Sequence, residues 1–240
     1  MELSALFIAV LFICIYLLAN KIIPTAKIKR LRWLSFSGGL AVSYVFVYIL
    51  PSMHREQQSL EQTENQLTMS SELYFIGLIG LLTFFGLQTK LSQLGKTEVK
   101  TKQPLLWTQT IFFAFYNLFI VYTVITSHVT GIQALFYAAA VGLHFIAVSH
   151  DLWRENQEIY LKYGRFIMVF SIIAGLFIGT FIPLGSLADS LIFAFVSGAM
   201  ILNVLKNELP SNQEAHFPTF AFGVIAYTSF TITLKFFFEW

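Results

Sequence analysis

A histidine deep inside an apolar stretch is the first feature of this sequence that could do chemistry. Gln133, Tyr137, His144 and Asp151 follow one another at spacings of 4, 7 and 7, which place them on one helical face. A titratable group inside a membrane is costly, so it marks a candidate ion or proton path. The competing interpretation is a face packed on other helices, with His144 hydrogen-bonded to a neighbouring hydroxyl or carbonyl.

Two carboxamides lie in other apolar stretches. Asn117 follows Tyr116 near the middle of one stretch, and Asn203 lies in another. Either amide could serve as a ligand, or it could hold two helices together at about 0.6 kcal/mol per hydrogen bond. No Asp, Glu, Lys or Arg lies in the central part of any apolar stretch. The sequence therefore predicts no carboxylate at mid-membrane depth.

The neighbours His150 and Asp151 form a second candidate pair. They could act as a catalytic or metal-binding pair, but "LWRENQE" follows them and favours a solvated helix end. The sequence has no Walker loop, dinucleotide fingerprint or HExxH motif. An intramembrane metallohydrolase would need clustered His and acidic residues, and the five histidines are scattered. We therefore do not expect an enzyme.

Composition indicates an integral membrane protein. Of 240 residues, 56% are hydrophobic and 12% charged, with a mean hydropathy of +0.69. Soluble domains carry roughly 25% charged residues. The net charge of +2 does not suit nucleic acid, so the expected partner is the lipid bilayer. The single cysteine excludes an internal disulfide framework.

The fold class predicted from this pattern is an all-α integral membrane protein with one transmembrane domain over residues 1–240. Crossing the hydrocarbon core takes about 20 apolar residues in a helix, and backbone polar groups must be paired in lipid. Eight segments qualify, at about 3–20, 33–50, 72–89, 105–126, 130–149, 166–184, 186–205 and 217–238.

The connecting segments predict an orientation. Thirteen of the 15 Lys and Arg residues fall on one side of the eight predicted helices. They include the basic loop at 90–104, which divides the helices into three and five. By the positive-inside rule that side is cytoplasmic, so both termini are expected on the extracytoplasmic face. A multi-pass protein of the plasma membrane is the expected localisation.

Two segments of the sequence are similar to each other. From Gly38 on, "SGGLAVSYVFVYILPS" at 37–52 aligns without a gap with "SGAMILNVLKNELPS" at 197–211, with Gly39 on Gly198 and Tyr44 on Asn203. We call them the repeated segments. The predicted helices that carry them cross the membrane in opposite directions. Such inverted repeats are typical of transporters that bind substrate between them. The alternative is two unrelated helices that each end in a Pro-Ser turn.

The layout resembles the ZIP (Zrt/Irt-like) metal transporters. The resemblance rests on four features: eight helices, outward termini, a basic loop after helix 3, and the Leu-Pro endings of the repeated segments in helices 2 and 7. It implies a ZIP-like bundle in which helices 1–3 are inverted relative to helices 6–8. It also implies a metal site on helices 4 and 5.

The resemblance can be followed residue by residue at that site. In "AFYNLFIVYTV" Asn117 matches the family's Asn, but Tyr116 replaces a His and Ile120 a Glu. In "GLHFIAVSHDL" His144 matches the first His of the helix 5 motif. The remaining motif positions are replaced by Phe145, Ala147 and Val148.

From the resemblance we expect a divalent metal transporter, with Zn²⁺ the first candidate and no resident cofactor. Asn117 and His144 would line the metal site, and His150 and Asp151 would lie at the cytoplasmic exit. A homodimer is one assembly to consider. The alternative function is a relative that no longer moves metal. It would carry another small solute or have a structural or regulatory role.

Overall fold

The computed structural model describes residues 3–22, 27–63, 70–94, 102–126, 131–155, 157–182, 184–209 and 215–238. Over these residues every regular element is a helix. The α-helices are α1 Leu3–Ile22, α2 Lys27–Tyr44, α3 Leu50–Thr63, α4 Glu72–Leu94, α5 Lys102–Thr126, α6 Gly131–Glu155, α7 Gln157–Ile159, α8 Arg165–Phe181, α9 Ser186–Asn203 and α10 Phe217–Phe238. Three wider π-helical turns are π1 Val45–Ile49, π2 Tyr160–Gly164 and π3 Val204–Glu208.

Five continuous helical stretches are long and apolar enough to cross a membrane. They are Ile28–Gln62, Glu72–Lys90, Trp107–Thr126, Gln157–Phe181 and Ser186–Glu208. Shorter apolar helices run over Ser4–Leu18 and Phe217–Thr233. The structure thus confirms a helical protein with several candidate membrane spans. The full set of eight spans stays a prediction, because the other three segments do not reach the length and hydropathy required over the described residues.

Large apolar side chains are exposed on the outside of the helix bundle. Examples are Phe75 on α4, Phe170 on α8 and Phe236 on α10. Exposed apolar side chains in this number suit contact with lipid tails rather than water. These exposed side chains fit a multi-pass membrane protein.

The second predicted helix is longer than the sequence indicated. Pro51 was expected to end it, but π1 leads directly into α3, which continues to Thr63. Proline has no N–H, and its ring clashes with the carbonyl four residues earlier in a regular helix. The turn just before Pro51 is wider, with the Leu50 N–H donating to the Val45 carbonyl five residues back. The helix therefore passes the proline.

The predicted basic loop at 90–104 is shorter than expected on both sides. Helix α4 continues to Leu94, and α5 begins at Lys102. Residues 95–101, the rest of that loop, lie outside the described residues.

Two helix pairs pack with close backbone contact at glycine. Helix α2 runs along α10, and a Cβ on Gly39 would overlap the carbonyl oxygen of Phe220. Helix α9 runs along α4, and a Cβ on Gly198 would overlap the carbonyl oxygen of Gly77. Small residues allow this approach between membrane helices, where dispersion replaces the hydrophobic effect as the driving force.

Each pair has a second glycine on the other helix. A Cβ on Gly223 of α10 would meet the Phe36 carbonyl oxygen at 2.5 Å. A Cβ on Gly80 of α4 would overlap the Phe195 carbonyl oxygen. The backbones of both pairs are therefore in contact at two successive levels.

The contacts of the two pairs correspond residue for residue. The sequence offset from Gly39 to Gly198 is also the offset from Phe36 to Phe195. A second offset on the partner helices relates Gly77 to Phe220 and Gly80 to Gly223. The first offset also places π1 on π3, from first residue to last. The two repeated segments thus make equivalent contacts and lead into the same kind of π-helical turn.

Candidate functional site

His144 is buried in the interior of α6, with its ring 2% exposed. The ring packs edge-on against Tyr116 of α5 at 5.6 Å between centroids, and against Phe145 at 5.9 Å. Aromatic walls keep water from the imidazole, so any charge on it must be balanced by protein groups.

A carboxylate reaches this histidine. Glu208, the last residue of π3, places its Oε1 against the Nδ1 of His144, and the Glu208 side chain is only 4% exposed. The sequence placed Glu208 beyond the end of the segment at 186–205. The expectation that no acid takes part at depth is therefore incomplete, because a residue at a helix end reaches back to the buried ring.

Two amides complete the cluster. The Asn203 Nδ2 lies 3.2 Å from Glu208 Oε1 and 3.3 Å from His144 Nδ1. The Asn207 Nδ2 donates to the Asn203 Oδ1 at 2.6 Å. We call these four residues, His144, Asn203, Asn207 and Glu208, the buried cluster, in which Asn207 alone is exposed. It joins the interior of α6 to the end of α9.

The π-turn explains how residues five apart share one partner. In an α-helix each residue advances about 100°, so Asn203 and Glu208 would be about 140° apart around the axis. In π3 the Leu209 N–H donates to the Val204 carbonyl at 3.2 Å, an i→i+5 pattern. That wider repeat brings Glu208 round beside Asn203. Helical spacing alone could not have identified Glu208.

The second ring nitrogen of His144 is different from the first. Among the described residues, the buried Nε2 has no hydrogen-bond partner. A neutral imidazole carries a proton on one nitrogen and a lone pair on the other. Donation from Nδ1–H to Glu208 would leave the Nε2 lone pair unused, available to a cation.

Asn117 is fully buried in α5, but the structure gives it partners other than His144. Its Nδ2 lies 2.7 Å from the Tyr16 hydroxyl of α1 and 3.2 Å from the Met168 Sδ of α8. Within the described part of the chain its Oδ1 has no hydrogen-bond partner, and it makes no hydrogen bond to His144. Tyr116, which precedes Asn117, packs on the imidazole and is one link between the two predicted site residues.

His150 lies near the end of α6 and stacks on Trp153 at 5.6 Å. Burial lowers its pKa from the usual 6.5, and the charges of Arg154 and Arg30 lower the pKa further. Because Arg30 belongs to the start of α2, that end of α2 lies near this end of α6. The side chain of Asp151, like those of Gln133 and Tyr137, lies outside the described residues.

A second polar group lies at the other end of α9. The Tyr122 hydroxyl of α5 donates to Asp189, and Ser190 donates to Glu56 of α3 at 2.8 Å. At 1.5 Å per residue, about 20 Å of helix separate Ser190 from Asn203. Helix α9 therefore has a polar group at each end.

The donor set around His144 is short for a tight metal site. Across the described residues, no three His, Cys, Asp or Glu side chains come together as one group. A metal ion at His144 would need amide oxygens or water to complete its coordination. Comparison with protein-family models, with curated proteins and with solved structures finds no match to this chain.

Proposed function

We propose that this chain is a multi-pass membrane transporter for a divalent cation, with Zn²⁺ as the first candidate. His144 would lie at the centre of its binding site. The observation that carries this proposal is the buried pairing of His144 with Glu208, in which one ring nitrogen has no hydrogen-bond partner among the described residues. Ionisable groups inside a membrane bundle are expensive and mark ion or proton paths. Imidazole nitrogen and carboxylate or amide oxygen are also donors that Zn²⁺ accepts.

The matched helix pairs support a transporter scaffold. If the loop charges orient the chain as predicted, α2–π1 and α9–π3 cross in opposite directions. The equivalent contacts at Gly39 and Gly198 then relate helices 1–3 to helices 6–8 as an inverted repeat in a ZIP-like bundle. Inverted-repeat transporters hold substrate near mid-depth where the repeats meet. The buried cluster belongs to one repeat through π3 and to the intervening helices through α6.

The two polar ends of α9 suggest a route. A cation would enter at the group containing Glu56 and Asp189, pass along α9 and reach His144. His150 and Asp151 would then lie near the exit on the side of the basic loops. Both termini would face outward, and the protein would reside in the plasma membrane.

The small donor set suits a site that must release its ion. A closed structural zinc site has four protein ligands, whereas a site with an open position exchanges its ligands. One imidazole with a nearby carboxylate and amides binds more weakly than four thiolates or imidazoles. Weak binding permits turnover, which transport requires.

A second candidate function is a membrane protein that moves no metal. Asn117 favours it, because this residue joins α1, α5 and α8 instead of facing His144. The pairing of His144 with Glu208 would then be a structural link between α6 and π3. Such a protein would carry another small solute or serve a structural or regulatory role.

Uptake by purified protein in liposomes separates the two candidates. We expect time-dependent uptake of Zn²⁺, Mn²⁺ or Fe²⁺ above that of protein-free liposomes. His144→Ala should reduce it to background, whereas His54→Ala should leave it unchanged because His54 is exposed and distant in sequence from the cluster. Background uptake of all three metals by the wild-type protein would reject metal transport and favour the second candidate.

A further inference from the structure

We propose that Glu208 is a positioning residue that holds His144 in the tautomer with its proton on Nδ1, so that Nε2 is the atom that binds the cation. The ligand role of Nε2 rests on the proposed function, whereas the tautomer does not. The sequence placed no carboxylate beside His144. The residue that would orient it comes from a helical turn five residues after Asn203.

The directions of the hydrogen bonds lead to this assignment. Asn207 donates its amide nitrogen to the Asn203 oxygen, which fixes the orientation of the Asn203 amide. Asn203 must then present its NH₂ group to Glu208, and that contact is 3.2 Å. Glu208 Oε1 thus accepts one hydrogen bond from Asn203, and it also contacts His144 Nδ1.

An ionised carboxylate only accepts hydrogen bonds, so the proton in the His144 contact must come from the ring. The Asn203 nitrogen also lies 3.3 Å from Nδ1, but its hydrogen cannot point at a nitrogen that already carries one. The Asn203 NH₂ group and the His144 Nδ1–H therefore both donate to Glu208 Oε1. The neutral imidazole has its proton on Nδ1 and its lone pair on Nε2.

The lone pair on Nε2 is not used by a protein donor that the structure describes. Within the described structure Nε2 is buried and has no hydrogen-bond donor. A buried acceptor left unpaired costs stability, so its persistence calls for a function. Histidines that bind metal nearly always donate their other N–H to a carboxylate, carbonyl or water, which fixes the ring and raises its basicity.

Of the two repeated segments, only the second, at 197–211, has the carboxylate and amide arrangement. At the position equivalent to Glu208, π1 ends with Ile49, which is buried and apolar. Tyr44 similarly stands in the place of Asn203. The shared π-turn is therefore part of the scaffold, and the carboxylate is specific to the second repeated segment.

Nitrogen NMR of the full-length protein in nanodiscs, labelled at histidine, tests the tautomer directly. The His144 signals are assigned by their loss in His144→Gln. Without metal we expect a protonated Nδ1 and an unprotonated Nε2. Addition of Zn²⁺ should shift the Nε2 signal and leave Nδ1 protonated. A proton on Nε2 in the metal-free wild-type protein would overturn the proposal.

Three variants separate positioning from direct ligation. Glu208→Leu removes the acceptor, so Nδ1–H should give way to a mixture of tautomers and Zn²⁺ affinity should fall 10–100-fold. Glu208→Gln keeps an acceptor oxygen and should retain the tautomer and more of the affinity. Glu158→Gln, an exposed carboxylate on α7, is the matched control and should match wild type.

Two results contradict the assignment in different ways. If Gln and Leu at position 208 lose affinity equally while the tautomer is unchanged, Glu208 is a direct ligand. If the tautomer is as expected but Zn²⁺ leaves Nε2 unshifted, the ligand role of Nε2 is wrong. Loss of liposome uptake with both NMR results intact would instead reject transport and keep the positioning role.

Discussion

At the scale of single residues, the two buried polar side chains predicted for the site have different surroundings. Asn117 donates to a hydroxyl and a thioether, which are neutral groups. His144 contacts a carboxylate that can balance a positive charge. Only the histidine can therefore exchange a proton or a cation at modest cost. The two residues should respond differently to substitution.

We predict that Asn117→Leu affects stability more than transport. The change removes the donor to Tyr16, and hydrogen bonds between membrane helices contribute about 0.6 kcal/mol on average. The free energy of unfolding in mixed micelles should fall by about that amount. Zn²⁺ uptake by the same variant should stay within about twofold of wild type. Uptake as low as that of His144→Ala would place Asn117 in the cation site.

His150 should remain neutral in the folded protein at pH values where an exposed histidine is charged. Burial lowers its pKa first, and Arg154 and Arg30 lower it further. In the unfolded chain the pKa returns to about 6.5. The unfolded state therefore binds more protons as the pH falls below 6.5, and stability falls with it until the lower folded pKa is passed.

An NMR titration of His150 checks this direction. Arg154→Gln removes one positive charge and should raise the pKa of His150 toward 6.5. The exposed Lys162→Gln, on π2, is the matched control for removing a cation. If both variants leave the titration of His150 unchanged, Arg154 does not act on it. A wild-type pKa above 6.5 would show that burial is not the dominant cause.

The sequence predicted two buried polar residues, because burial can be inferred from an apolar context. His144 and Asn117 are both buried, and of these two only His144 belongs to the buried cluster. Glu208 was not, because "NVLKNELP" gives no indication that the helix widens before its proline. The partners Tyr16 and Met168 were also beyond reach, since they come from helices distant in the sequence.

At the scale of elements, π3 is the part that sets the buried cluster. Proline follows both π1 and π3 in the sequence, which supports a common cause, but a proline also marks an ordinary helix end. After π1 the helix continues through Leu50 with helical backbone angles. After π3, Leu209 is extended and the helix ends. The proline itself therefore does not decide between these outcomes.

Insertion of one alanine after Leu205 tests the role of π3. A single i→i+5 turn accommodates one residue more than an α-helical turn, so a further residue should rotate Glu208 by about 100° away from Asn203. Glu208 would leave His144, so we expect mixed tautomers of the imidazole and Zn²⁺ uptake near background. Leu205 is exposed, so an insertion beside it disturbs little buried contact.

The equivalent insertion of one alanine after Phe46 in π1 is the control. Phe46 is the exposed counterpart of Leu205 under the repeat offset, and its turn carries no carboxylate. The His144 tautomer should be unchanged in this variant. If both insertions disturb the tautomer equally, the effect belongs to the scaffold and not to the placement of Glu208.

At the scale of the whole molecule, helical class and membrane character follow from composition because the bilayer permits few alternatives. The pairing of α2 with α10 and of α4 with α9 could be anticipated only in outline. The repeated segments indicated two related helices, but they did not identify the helices that pack against them. Those partners depend on Gly80 and Gly223, which align only once the structure shows the second offset.

The equivalence of the two helix pairs predicts equal responses to alanine. A Cβ on Gly39 or Gly198 would overlap a backbone oxygen that cannot move without its helix. Overpacking of this kind costs about 1–3 kcal/mol, so Gly39→Ala and Gly198→Ala should each destabilise the protein by a similar amount in mixed micelles. Gly86→Ala is the control, because its Cβ meets no atom within 4 Å.

Gly86→Ala should leave stability unchanged or raise it by up to about 1 kcal/mol, since alanine replaces glycine inside a helix. A loss confined to Gly198→Ala would mean that α4 and α9 form the main packing unit and that the repeat is only local. If Gly39→Ala and Gly198→Ala both lose stability and also take up less Zn²⁺ at equal protein folding, the two helix pairs also move against each other. Uptake measured on refolded Gly39→Ala and Gly198→Ala protein distinguishes a packing role from a role in alternating access, since only the latter lowers the rate of transport per folded molecule.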